Sequence, residues 1–369
     1  MNMENRTWEY LSVFIMSFLF VYGLTPFIIK LAHALNFEDK PAARKIHQKN
    51  TPLLGGLSVF IGFALLCIYD VAISPNRYFD IAMIGYLLGG LLITVLGLID
   101  DKFGMHPVIK LLGQIAVSLI FILSSFRIAE LQHMFGSIYI SLPLMVLWMV
   151  GLMNAMNFLD NMDGILSGMA GILGLGYFAF SLANITGSNS SEMAFIGLIS
   201  LSFAGATLGF LPYNFNPAKI FLGDAGSMFI GYFLSSMGIL MGRFAVLTRQ
   251  NNIFYLLPVL LLSYAIFDIC LVSYTRTRDG RHISQGGRDH STHRLLTMLG
   301  SVKITAIIVY ALNLLIALTT IIIFITGNGV LLIATAIMFT LFFLFLGHKL
   351  DQIPIVIPIN QQKTGRSLK

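Results

Sequence analysis

Eleven apolar stretches, each close to the roughly 20 residues needed to cross a bilayer as a helix, constrain this chain more than any other feature. They fall near 8–31, 53–73, 81–99, 109–125, 138–157, 165–185, 192–211, 220–240, 252–275, 303–325 and 329–347. Hydrophobic residues make up 56% of the 369 positions and charged ones only 11%, whereas a soluble domain carries about a quarter charged residues. The expected fold is therefore all-α, a polytopic integral membrane protein of 10–11 transmembrane helices. It is read as one catalytic membrane domain over residues 1–350, followed by a short tail over 351–369.

The net charge of +6 does not indicate nucleic acid, because the basic residues are segregated. With the N-terminus placed outside, all of the 23 Lys and Arg residues except Arg6, Arg77, Arg127, Arg243 and Arg249 fall on one set of connections. The positive-inside rule then predicts an outside N-terminus and a cytoplasmic C-terminus. Cys67 and Cys270 lie within apolar stretches and suggest no disulfide framework.

The same reading brings every polar motif to the cytoplasmic side. From Asn154 to Gly164 two carboxylates, Asp160 and Asp163, and three carboxamides, Asn154, Asn157 and Asn161, interrupt the junction of two spans. An acid in hydrocarbon costs about 2.5–3.5 kcal/mol on insertion scales, and a bare turn needs one or two polar residues, not five. Asp100 and Asp101 end the third span, with Lys110 just beyond. Adjacent carboxylates at a membrane edge favour a bound cation. Asp224 is flanked by Gly223 and Gly226 at the start of the eighth span, after Asn214 and Phe221. A segment from Arg276 to Arg294 carries Arg288, His290 and His293 and suits a polyanion such as pyrophosphate. A basic loop containing Lys49 precedes the paired glycines Gly55 and Gly56. Hard oxygen donors without cysteine or a tight histidine pair favour Mg²⁺, with Mn²⁺ as a substitute. Beside basic residues, that is equipment for phosphoryl transfer.

In this order the motifs resemble those of the polyprenyl-phosphate N-acetylhexosamine-1-phosphate transferases. The resemblance implies a membrane enzyme that moves a sugar phosphate from a UDP-sugar to a polyprenyl phosphate and releases UMP. It implies a plasma-membrane location, and a homodimer is compatible with it. By the same resemblance Asp224 is a Mg²⁺ ligand, with Asp100 and Asp101 beside it as a catalytic pair and further metal ligands. Lys110 is a phosphate contact, and Asp160 and Asp163 meet uridine. Asn154, Asn157 and Asn214 line the site, Phe221 stacks on the base, and Lys49 touches the nucleotide. His290, His293, Arg294 and Arg288 belong to the loop meeting the pyrophosphate.

Two departures stand out. Where the family usually has glycine after the first acid of Asp-Gly-x-Asp-Gly, this chain has Asn161, which is expected to serve a left-handed turn. The histidine segment reads His290-Ser-Thr-His293 and lacks three consecutive histidines. That favours a UDP-GlcNAc branch over the one taking UDP-N-acetylmuramoyl-pentapeptide, which is the alternative within the family. An ion-coupled transporter is the rival from another class, with Asp268 as its intramembrane acid.

Overall fold

A backbone in hydrocarbon must satisfy its own hydrogen bonds, and the apolar stretches accordingly become helices. In the computed structural model, which describes residues 3–39, 50–73, 81–185, 190–283 and 287–353, the chain begins with α1 (Met3–Ala34). A short antiparallel pair follows, β1 (Glu38–Asp39) against β2 (Thr51–Pro52). Next come α2 (Gly55–Ile73), α3 (Ile81–Phe103), α4 (Pro107–Ser125), α5 (Ile128–Phe135), α6 (Ile138–Leu159), α7 (Ile165–Ala183) and α8 (Ser190–Asn214). The rest comprises α9 (Gly223–Arg249), α10 (Leu257–Leu261), α11 (Ser263–Arg278), α12 (Ser291–Leu299), α13 (Val302–Thr326) and α14 (Gly329–Asp351). Lys49 and most of the tail fall outside the described residues.

Among the described residues 9 helices are long and apolar enough to cross a membrane, or 10 when the bent pair formed by α10 and α11 is one span. The protein is thus an all-α polytopic membrane protein, and each of the eleven expected stretches is largely helical, with residues 53–54, 184–185 and 220–222 outside the helices. Two details differ from expectation. The stretch 252–275 is no straight rod: a 3-10 turn (Asn252–Leu256) leads into α10, and α11 departs at 69°. Leu262 stands at the break with non-helical φ and ψ of −98° and 14°. The short helices α5 and α12 were also unexpected, since neither has the length or continuous apolarity of a span.

At the centre lies α9, buried along nearly its whole length from Gly223 to Ala245. Small residues let its neighbours reach it. A side chain at Gly56 of α2 would overlap the backbone of Gly226, one at Gly97 of α3 the backbone of Ala225, and one at Gly231 the backbone of Met153 in α6. Association in lipid depends on such close packing rather than on expulsion of water. Gly168, Gly171 and Gly174 of α7 play the same part against Tyr310, Leu208 and Phe203.

Deeper in the bundle Phe203 stacks flat on Phe233, with ring centroids 3.7 Å apart. The N-terminus of α9 is the end that the polar motifs share. Arg243 and Arg249 lie toward its other end, about 30 and 40 Å away at 1.5 Å per residue.

Candidate active site

The site is assembled from the ends of four helices. At the end of α3, Gly104 turns the chain with φ 67°, and Asp100 Oδ1 accepts the Met105 amide at 2.6 Å. His106 caps α4, with Pro107 at its first turn, and Lys110 then returns toward α3. The Lys110 ammonium lies 2.8 Å from Asp100 Oδ2 and also pairs with Asp224 Oδ2. The other oxygen of Asp224 accepts Asn157 Nδ2 at 2.7 Å, and the same amide group reaches Ser227 Oγ at 2.9 Å. Asp100, Lys110, Asn157 and Asp224, from α3, α4, α6 and α9, therefore form one connected cluster.

Asp101 does something different. Its two oxygens accept the backbone amides of Asp224 at 2.9 Å and Ala225 at 3.2 Å, satisfying donors that the first turn of a helix leaves open. Gly223 makes this possible: its φ is +70°, and a Cβ there would run into Asp101 Oδ2. Among the described residues no three acidic, histidine or cysteine side chains form a ready metal cage. The donor set nevertheless fits a divalent ion with open positions. Two carboxylates, Asp100 and Asp224, already share one cationic centre, the Lys110 ammonium. Mg²⁺ commonly takes one or two carboxylates and fills the remaining positions with water and phosphate oxygens.

The turn between α6 and α7 carries the next acids. Asp160, just past α6, donates its backbone amide to the Met156 carbonyl at 3.1 Å, and its carboxylate has no hydrogen-bond partner among the described residues. Burial, together with the charges of Asp224 and Asp163, pushes its carboxyl up to about 8. Asp163 is tied into the fold, accepting Asn216 Nδ2 at 2.8 Å and the Ala218 amide at 3.0 Å. Asn214 is buried and bonds Ser167 Oγ at 2.8 Å and the Ile220 carbonyl at 3.0 Å. Asn154 bonds Gln114 and the carbonyl of Val150, each at 2.8 Å. Asp163, Asn214 and Asn154 thus hold the connecting segments in place around Asn157 and Asp160. Phe221 is partly exposed, and its backbone joins the site to β2 through Pro52 and to α2 through Gly55.

The left-handed residue of this turn is Gly164, at φ 76°, and not Asn161, whose φ is not positive. The expectation of a left-handed role for Asn161 is thereby corrected. Its carboxamide instead donates to the Phe158 carbonyl at 2.7 Å and accepts from Thr292 Oγ1 at 2.6 Å.

Thr292 belongs to the C-terminal polar segment, which the structure divides in two. Arg276 grips Asp289 through Nε at 2.9 Å and Nη2 at 2.7 Å, and Arg281 adds a second pair at 2.8 Å. Burial opposes the charge on Asp289, but the hydrogen bonds and charge of Arg276, with His290 and Arg281, bring its carboxyl down to about 2. Arg294 is buried and spent internally, on the carbonyls of Asp289 at 3.0 Å and Leu350 at 2.8 Å and on Asp351.

His290 Nδ1 lies 2.9 Å from Asp268 Oδ2, while Asp268 Oδ1 accepts the Ser291 amide at 2.7 Å. Asp268 is thus engaged at both oxygens, which leaves it poorly suited to the ion site of a transporter. His293 lies beside His290, with ring centroids 6.1 Å apart. Burial first, and then the charges of His290 and Arg288, depress its imidazole to about 4. Sequence reasoning missed the parts of Arg276, Asp289, Ser227 and Thr292. Asp268 was visible as a lone acid in an apolar stretch, but its partner lies 22 residues away.

A family model described as "Glycosyl transferase family 4" matches residues 83–242. The chain is 30% identical over 325 residues to the "Probable undecaprenyl-phosphate N-acetylglucosaminyl 1-phosphate transferase" of Bacillus subtilis, covering 87% of this chain and 86% of that protein. It is 31% identical over 313 residues to the "Decaprenyl-phosphate N-acetylglucosaminephosphotransferase" of Mycobacterium tuberculosis, covering 79% and 77%. Similarity to the "Phospho-N-acetylmuramoyl-pentapeptide-transferase" of Bacillus licheniformis is 33% over 253 residues, covering 61% of this chain and 73% of that one.

Proposed function

Since the chain belongs to glycosyl transferase family 4, we propose that it transfers N-acetylglucosamine-1-phosphate from UDP-GlcNAc to undecaprenyl phosphate, giving the lipid diphosphate sugar and UMP. The observation that carries this reading is the cluster at the N-terminus of α9. There Asp224 is held by Asn157 and Lys110, with Asp100 paired to the same ammonium. The names of the Bacillus subtilis and Mycobacterium tuberculosis relatives support the transferred group and the class of acceptor. The segregation of basic residues supports a site facing the cytoplasm, where a water-soluble nucleotide sugar would meet a lipid phosphate at the membrane edge.

In the proposed reaction an oxygen of the lipid phosphate attacks the sugar-bearing phosphorus. A new P–O bond forms there, the bond to the bridging oxygen breaks, and UMP leaves with that oxygen. A phosphate monoester with a second pKa near 6 is largely dianionic at neutral pH, so no strong base is needed. Catalysis then rests on positioning and on charge placed before the reaction starts. Asp100 and Asp224 are the residues to hold a Mg²⁺ ion, which supplies neutralisation of the diphosphate charge when bound. Asp101 keeps the Asp224 backbone in place, and Lys110 brings a cation to the phosphate end. Asp160 and Phe221 are assigned to the nucleoside end, and the segment from Arg288 to His293 to the diphosphate. Asn154, Asp163, Asn214 and Arg294 support these groups.

Purified protein given undecaprenyl phosphate and UDP-GlcNAc should release UMP in step with formation of a lipid-linked sugar. UDP-N-acetylmuramoyl-pentapeptide and UDP-GalNAc, supplied separately, should support much slower release. UMP release from the pentapeptide donor alone would move the protein to the other branch of the family. No release from any UDP-sugar would overturn the donor.

A further inference from the structure

Asn161 stands between Asp160, whose carboxylate has no hydrogen-bond partner among the described residues, and Asp163, which anchors a loop, yet its own side chain joins two distant parts of the chain. Nδ2 donates to the carbonyl of Phe158, one of the last carbonyls of α6, which a helix end leaves without an intrahelical donor. Oδ1 accepts from Thr292 in the first turn of α12, 131 residues further on. Thr292 is fully buried, so without that acceptor its hydroxyl would be a costly unsatisfied donor.

A second contact reinforces the junction. The Phe158 ring meets His290 edge-on, with centroids 5.8 Å apart and planes at 89°. The Arg276 guanidinium sits 5.3 Å above the same ring, a favourable cation–π arrangement. The end of α6, which carries Asn157 and precedes Asp160, is therefore fastened to the start of α12, which follows His290 and carries His293.

We infer that Asn161 is a positioning residue for the nucleotide sugar. Its hydrogen bond to Thr292 sets the separation between the acid-lined nucleoside end and the histidine and arginine segment at the diphosphate end. The inference rests on the donor reading above. A donor that must touch both ends at once is bound tightly only when they are already in register. Glycine at this position would release the Phe158 carbonyl and the Thr292 hydroxyl together. Because Asn161 is not at positive φ, its side chain is what the position requires.

The test compares Asn161→Gly, Thr292→Val, their double variant and Thr292→Ser in UMP release from UDP-GlcNAc. Asn161→Gly and Thr292→Val should each raise the donor KM by about threefold to tenfold, the worth of one hydrogen bond, with a smaller change in kcat. The double variant should be no worse than the poorer single one, because both remove the same bond. Thr292→Ser keeps the hydroxyl and should retain the donor KM. Additive single effects, a Thr292→Ser variant as impaired as Thr292→Val, or an unchanged donor KM in both single variants would overturn the inference.

Amide hydrogen exchange in α12, measured without substrate, separates the junction from the donor reading. It should quicken in Asn161→Gly and Thr292→Val and stay at the wild-type rate in Thr292→Ser. Unchanged exchange in the first two removes the junction whatever the turnover. Wild-type turnover on UDP-GlcNAc decides the donor reading by itself.

Discussion

Asp101 accepts the backbone amide of Asp224 at 2.9 Å across 123 residues of sequence, so two acids of one site have different work to do. Asp101 closes the start of α9, and Asp224 presents its carboxylate to Lys110 and Asn157. Loss of a capping acceptor costs about 0.5–2 kcal/mol. Asp101→Asn, which turns an NH₂ toward one of two amides, should lower both the melting temperature in detergent and the turnover. Asp224→Asn should lower kcat by about a hundredfold, as loss of one preorganised charge-stabilising group does elsewhere, and leave the melting temperature unchanged. Thermal melts followed by circular dichroism, beside UMP release, separate the two. An Asp101→Asn protein that melts like the wild type would remove the capping role.

Metal removal is the second test. Asp100 and Asp224 converge on one cation, and two carboxylates with water and phosphate oxygens make a Mg²⁺ environment. Chelation should therefore abolish UMP release, Mg²⁺ or Mn²⁺ should restore it, and Ca²⁺ should restore it poorly because it prefers looser coordination. Asp100→Asn should raise the Mg²⁺ concentration for half-activation by about tenfold or more, in the range seen when a metal site loses a supporting group. Full turnover after exhaustive chelation would end the metal proposal.

Much of this was legible in the sequence because the information was local. An apolar stretch of about 20 residues states its own structure, and alternation of spans carries Asp100, Asn157 and Asp224 to one end of the bundle. Which of two adjacent acids would face α9 was not legible. Neighbouring residues on a helix point about 100° apart, and only packing decides between Asp100 and Asp101. The partner of Asn161 lies 131 residues away, and no local pattern names it, so backbone preference alone points to a turn. The helix α5, of 8 residues, falls below the length at which a hydropathy window responds. In α12 a run of polar residues is helical because Asn161, Asp268 and Asp289 receive its side chains and backbone.

Sidedness provides a third prediction. Lys102 lies at the end of the bundle that holds the site, and Gln132 lies in α5 at the other; both are exposed. With Cys67 and Cys270 replaced by serine, Gln132→Cys should react with an impermeant thiol reagent in intact cells. Lys102→Cys should react only after permeabilisation. The reverse pattern would invert the protein and place the site on the outer face, out of reach of a cytoplasmic nucleotide sugar.

The last prediction concerns the pH dependence set by Asp160. Burial first, and then the charges of Asp224 and Asp163, push its carboxyl up to about 8. At pH 7 the group is therefore a neutral acid able to donate a hydrogen bond, whereas in the unfolded chain an aspartate of ordinary pKa near 3.9 is ionised. Folding takes up a proton between these values. The stability that comes from this group is complete below about pH 4, declines as pH rises, and is gone above the folded value near 8. Binding should follow the same protonation state, because loss of the proton sets a negative charge against an anionic donor. In the wild type the donor KM should rise as pH passes through about 8. Asp160→Asn mimics the neutral acid at every pH. It should keep a donor KM within about threefold of wild type at pH 7, the worth of a modest hydrogen-bond change, and lose the alkaline rise. Asp160→Ala should show a raised KM across the whole range. Donor KM measured from pH 6 to 9.5 for the three proteins decides the matter. An alkaline rise that persists unchanged in Asp160→Asn would assign it to another group and leave Asp160 as a bystander at the site.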